Sequence, residues 1–170
     1  HMVYNALAAA AVGQIYGLSK EEIKEGIQSL QPVSGRFHII HADKYTIIDD
    51  CYNANPVSMK ASLDVLSDAL GRKVAILGDM GELGEDQVDM HREVGVYAAS
   101  RNIDVLLCVG ELSAYMAEAA RLTAPAKEIR HFASKEELLA ELPRILEQGD
   151  HVLVKASHFM EFGKILEALQ

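Results

Sequence analysis

Beyond Arg36, short apolar runs at residues 37–41, 45–50, 73–77, 105–109, 129–132 and 151–155 are each set off from the next by polar or helical sequence. No other feature limits the fold of this chain as strongly. The first two runs are separated only by the polar turn at residues 42–44, which predicts a hairpin or a sheet-edge pair. Between the later runs lie helical stretches at about 55–71, 85–101, 112–122 and 134–149, and a last one follows at 160–169. Strands that alternate with helices imply right-handed β-α-β crossovers and a mostly parallel sheet covered by helices on both faces. The run at 73–77 is apolar on both sides and suits a central strand.

The expected fold class is therefore α/β, with a Rossmann-like sheet. Two helices precede it. Residues 2–16 are alanine-rich and apolar nearly all round, which predicts a helix buried on most sides and stopped near Gly17. Ser19 and Glu22 form a capping box that opens a second helix, with Ile23, Ile27 and Leu30 as its apolar stripe. Two helices do not make a domain, so they are expected to be the end of a preceding one. Pro32 and Gly35 mark residues 31–36 as a hinge. The expected division is residues 1–31 and residues 32–170. His1 and Met2 carry no weight, since they are either native or the remnant of a cloning site.

Composition narrows the functional classes. A net charge of −9 over 170 residues argues against nucleic acid or an anionic membrane as a general partner. Cys51 and Cys108 are too few for a disulfide framework and sit in no metal-binding pattern. The two cysteines suit reduced thiols in a cytoplasmic protein, and no membrane-spanning run or leader pattern at the start is seen; a monomer is expected.

The stretch most suited to holding a ligand is YTIIDDCYNANPVSMKASLDVLSDAL, residues 45–70. Branched residues build a strand, Asp49 and Asp50 end it, and Asn55 with Pro56 open a helix as N-cap and first residue. Met59, Leu63, Leu66 and Leu70 give that helix its apolar face. In open α/β sheets ligands gather at the carboxyl ends of strands, where residues 49–55 would lie. The amides of Asn53 and Asn55, beside Tyr52, can both donate to and accept from a peptide-like ligand, although Asn55 also has the capping task. Gly78, Gly81 and Gly84 form G-x-x-G-x-x-G, which is not the dinucleotide fingerprint. Asp79, Glu82, Glu85 and Asp86 in the same region would repel a phosphate. The glycines are read as permitting a tight loop, and His91 as a packed or solvent-facing histidine.

The run DDCYNANPVSM, followed at residues 76–95 by ILGDMGELGEDQVDMHREVG, resembles the C-terminal domain of the bacterial cell-wall ligases of the MurF family. YNALAAAAVG near the start and PVSGR in the hinge are similar to segments of the same family. The resemblance implies an enzyme that uses ATP to join D-alanyl-D-alanine to UDP-N-acetylmuramoyl-tripeptide, through an acyl phosphate attacked by the dipeptide amine. It implies that Asp50, rather than Asp49, meets the ATP ribose. Asn5 would meet the adenine, and Arg36 would turn toward the phosphates as the domains close. It makes Lys155 and Ser157 candidates for substrate binding, and His91 a loop anchor. Where the family has Lys-Gly-Ser-Arg, this chain has Lys155, Ala156, Ser157 and His158, which puts an arginine contact in doubt.

No G-x-x-x-x-G-K-[ST] loop occurs in the chain. The resemblance implies that ATP and Mg²⁺ are held mainly by an upstream domain, with no catalytic residue and no metal ligand in this chain. Alone, the chain is expected to fold and to be inactive. A sibling amide ligase, adding diaminopimelate, lysine or folate glutamates, is the enzymatic alternative, and the YNANP run argues against it. A stand-alone nucleotide- or peptide-binding module is the alternative from another class. A dehydrogenase ranks last for want of its glycine fingerprint.

Overall fold

The computed structural model describes residues 2–30 and 35–170. Most of the hinge read at residues 31–36 lies outside the described residues. Two compact units are present, His1–Pro32 and Val33–Gln170.

In the first unit, α1 (Met2–Ile15) ends where Gly17 takes a φ of 78°. The second helix, α2 (Lys20–Gln28), begins on the predicted capping box: Ser19 accepts from the Glu22 amide, and the Glu22 carboxylate accepts from the Ser19 amide at 2.8 Å. The expectation that α1 is buried on most sides does not hold within this chain. Val3, Tyr4, Leu7, Val12, Ile15 and Tyr16 are all exposed, because α2 covers only one side of it.

The second unit contains a six-stranded sheet in the order β1-β2-β6-β3-β4-β5. Its strands are β1 (His38–His41), β2 (Thr46–Asp49), β3 (Lys73–Gly78), β4 (Val105–Val109), β5 (Glu128–Phe132) and β6 (His151–Lys155). β1 and β2 pair antiparallel as the predicted hairpin, and every other pairing is parallel. The helices are α3 (Pro56–Ser67), α4 (Gln87–Ser100), α5 (Ser113–Thr123), α6 (Lys135–Ile145) and α7 (Gly163–Leu169).

Right-handed crossovers explain where the helices lie. The connections through α3, α4 and α5 all step toward β5, so they share one face, whereas the connection through α6 steps back from β5 to β6 and must use the other. The side chains follow. Ile48, Ala75, Leu77, Cys108 and Leu153 pack with Met59, Leu63, Val94 and Met116 of the first set of helices. Their strand neighbours Ile47, Val74, Ile76, Leu107 and Val154 pack with Leu138 and Leu142 of α6 and with Ile165 and Leu169 of α7. Every residue of β3 is buried, as a central strand requires. α4 and α5 approach so closely that a Cβ on Gly95 would stand 2.1 Å from the Met116 carbonyl oxygen.

Some boundaries move. α3 stops at Ser67 rather than near Gly71, and Leu70, read as part of its apolar face, is 86% exposed. Gly71 turns the chain with a φ of 84° into β3. The last helical stretch divides into a 3-10 turn at His158–Met160 and α7, with Glu161 at a φ of 51° between them. α6 ends at Ile145, before the Gly149 turn.

Candidate functional site

Because β6 lies between β2 and β3, the loops after these three strands meet at one end of the sheet. They enclose a cleft of about 360 Å³, lined by Tyr52 and Asn53 after β2, Gly81 and Glu82 after β3, and Ser157, His158 and Phe159 after β6. This is the position that open α/β sheets give to ligands.

Hydrogen bonds clip the loops to one another. The Gly81 amide donates to Ser157 Oγ at 2.8 Å, and Ser157 Oγ donates to the Ala54 carbonyl at 3.3 Å. One hydroxyl thus joins all three loops. The Met80 amide donates to His91 Nε2 at 2.9 Å, while His91 Nδ1 lies 2.6 Å from the Gln87 carbonyl. With Nε2 accepting, the proton sits on Nδ1 and is donated to Gln87. His91 is fully buried, so it is a loop anchor and not a solvent-facing side chain. Gly81 has a steric reason to lack a side chain, since a Cβ would stand 3.0 Å from the Phe159 ring.

Beneath the cleft floor, Asp50 and Lys155 form an ion pair at 2.6 Å, with side chains only 13% and 2% exposed. Lys155 Nζ also donates to the Asn53 carbonyl at 3.0 Å. Asp50 accepts from the Phe37 amide at 3.1 Å and from Ser62 Oγ at 2.6 Å. Three of its four acceptor positions are therefore taken. Asp49 is buried and accepts from the Gly35 amide at 2.8 Å, which ties the end of the hinge to β2. Asp49 also accepts from Cys51 Sγ at 3.1 Å. Burial, reinforced by that bond and by the Asp49 charge, pushes the Cys51 thiol up to about 12.

The residues singled out from sequence separate into groups. Tyr52, Asn53 and Ser157 line the cleft. Arg36 lies with its guanidinium 4.0 Å over the Tyr52 ring, and the His158 ring is 5.8 Å from the same ring. Asp50 and Lys155 are bound to each other below it. Asn55 is not among the lining residues; its Oδ1 accepts from the Ser58 amide at 2.9 Å, and the Asn55 amide donates to Ser58 Oγ. Asn5 belongs to the first unit, where it lines an apolar groove of about 440 Å³ between α1 and α2. Sequence reading passed over Glu82 and Phe159 as ligand contacts. The available signal was the position of the glycine-rich loop immediately after a strand.

The comparisons with known proteins agree with this fold. Residues 35–158 match the family described as "Mur ligase, glutamate ligase domain". The chain is 36% identical over its whole length to the UDP-N-acetylmuramoyl-tripeptide--D-alanyl-D-alanine ligase of Escherichia coli, covering 37% of that protein. It is similar to a solved structure of MurF from Acinetobacter baumannii, with a TM-score of 0.87 and 34% identity over 99% of this chain and 37% of that one. It is also similar to the MurF ligase of Thermotoga maritima in complex with ADP, with a TM-score of 0.73 and 29% identity over 93% of this chain and 35% of that one. The chain thus spans little more than a third of the length of the relatives it matches. On its sequence and on its fold, this chain belongs to the Mur ligase family, in the part of those enzymes that carries the C-terminal domain.

Proposed function

We propose that the chain is the C-terminal part of an ATP-dependent ligase that adds D-alanyl-D-alanine to UDP-N-acetylmuramoyl-tripeptide, and that its cleft positions the dipeptide. The observation that carries this reading is the match to ligases of that activity along the whole chain, including the three loops that build the cleft.

ATP would supply the phosphoryl group that activates the tripeptide carboxylate, and it would be held with Mg²⁺ mainly by the upstream part of the enzyme. This chain's residues would bind and orient. Tyr52, Asn53 and Ser157 would face the dipeptide. Asp50 has one acceptor position left, on Oδ1, with which to meet a ribose hydroxyl. Arg36, exposed at the end of the hinge and resting on Tyr52, would leave that ring for a phosphate when the domains close. Residues 1–31 would be the trailing helices of the central domain, and residues 32–170 the C-terminal domain. The apolar side chains that α1 leaves exposed support this, because a stand-alone binding module would cover them.

The test is to express the longer protein encoded by the source gene and follow ADP release with the tripeptide nucleotide and either D-alanyl-D-alanine or single amino acids. Turnover dependent on the dipeptide is expected, with none from the 170-residue chain alone. Turnover with a single amino acid in place of the dipeptide would move the protein to a sibling ligase. Amide formation by this chain alone would refute its role as a partial site.

A further inference from the structure

We propose that the Glu82 carboxylate is the seat for the ammonium group of the dipeptide, and so sets the preference of this cleft for a ligand with a free amino terminus. The inference rests on the dipeptide reading above.

Of the acidic residues at and after the ends of β2 and β3, Asp49, Asp50 and Asp79 are already satisfied by the protein, and Glu85 and Asp86 do not line the cleft. Asp49 accepts from the Gly35 amide. Asp50 is paired with Lys155 and also holds the Phe37 amide and Ser62. Asp79 accepts from the amide and hydroxyl of Ser113, at 2.7 and 2.6 Å, and from the Leu112 amide, so it fixes the start of α5. Glu82 differs. It lines the cleft, is exposed, and among the described residues its carboxylate has no hydrogen-bond or ion-pair partner.

Its backbone is nonetheless fixed. The two residues before it are pinned, Met80 by His91 and Gly81 by Ser157. Glu82 itself holds a φ of 60°, a conformation that glycine adopts without penalty and that costs other residues about 1 kcal/mol. The fold gains no contact from a glutamate there. A carboxylate at the wall of a ligand cleft, with its acceptor positions open, is suited to a cation.

Among the described residues no other carboxylate lines the cleft, and a cation, Arg36, lies at the Tyr52 ring. Arg36 stacks on that ring, and the His158 imidazole stands beside it. A ligand with a free amino terminus fits this polarity, with its ammonium at Glu82.

The experiment is a titration of the ¹⁵N-labelled chain, followed through the amide resonances of Asn53, Gly81 and Ser157. The probes are D-alanyl-D-alanine and N-acetyl-D-alanyl-D-alanine, which lacks the ammonium. The native chain is expected to bind the free dipeptide at least about fivefold more tightly than the acetylated one, as a charge-assisted contact requires. Glu82→Gln removes the charge at an exposed position and should abolish that preference, weakening only the free dipeptide. A Glu82→Gln chain that keeps the full preference overturns the Glu82 assignment and leaves the dipeptide cleft standing. A native chain whose cleft resonances respond to neither peptide overturns the dipeptide reading itself, and the assignment with it.

Discussion

Replacing Lys155 by Met separates a structural role for this lysine from a ligand-binding one. Methionine keeps most of the apolar stem and removes the ammonium, leaving the Asp50 carboxylate, only 13% exposed, without its cation. Breaking one side of a buried ion pair costs about 3–5 kcal/mol. Here the loss belongs near the lower figure, because the Phe37 amide and Ser62 Oγ still donate to Asp50. The Asn53 carbonyl also loses its 3.0 Å donor. A cost of about 3 kcal/mol follows, equivalent to a fall in Tm of about 10 °C for a domain of this size. Urea unfolding, followed by far-ultraviolet circular dichroism and by tyrosine fluorescence in a chain without tryptophan, measures it. Asp50→Asn combined with Lys155→Met removes the orphaned charge, so the pair should cost at least about 1 kcal/mol less than the sum of the two single changes. A Lys155→Met chain within about 1 kcal/mol of the native one, or strictly additive costs, would refute the buried-pair account. Lys155 would then be free to serve a ligand.

Gly95→Ala should force α4 and α5 apart, since its Cβ would meet the Met116 backbone at 2.1 Å; a loss of about 1–3 kcal/mol in the same urea assay is expected. Asn55→Ala removes the N-cap of α3 and should cost about 1 kcal/mol while leaving the fold intact by circular dichroism. Cys51, with its thiol held near 12 against 9.0 in the unfolded chain, should react with iodoacetamide at pH 8 at least about tenfold more slowly than in urea-unfolded protein. The same shift bears on stability. The native state keeps its proton where the unfolded state loses it, so this contribution is whole below pH 9 and is lost progressively from pH 9 toward 12. Asp49→Asn should quicken the alkylation.

Local chemistry made much of this protein readable from its sequence. The Ser19–Glu22 box, the Asn55–Pro56 helix start and the apolar runs each act over a few residues, so they formed where the sequence placed them. The hairpin needed only its turn. Helix ends were less legible: nothing within the stretch shows that Leu70 will be released to solvent, since the end of α3 depends on how far the chain must travel to enter β3.

The sequence by itself determined the alternation of strands and helices, hence a mostly parallel sheet, and it placed Tyr52 and Asn53 at a strand end facing a cleft. Only the tertiary structure decided that β6 inserts between β2 and β3. Parallel strands of similar apolar character carry little pairing preference of their own, and their order is chosen by which helices can cover which face. That insertion brings Lys155 to Asp50 and Ser157 to Gly81, across 105 and 76 residues of chain. It also decides which acidic residues are consumed by the fold, and leaves Glu82 open in the cleft.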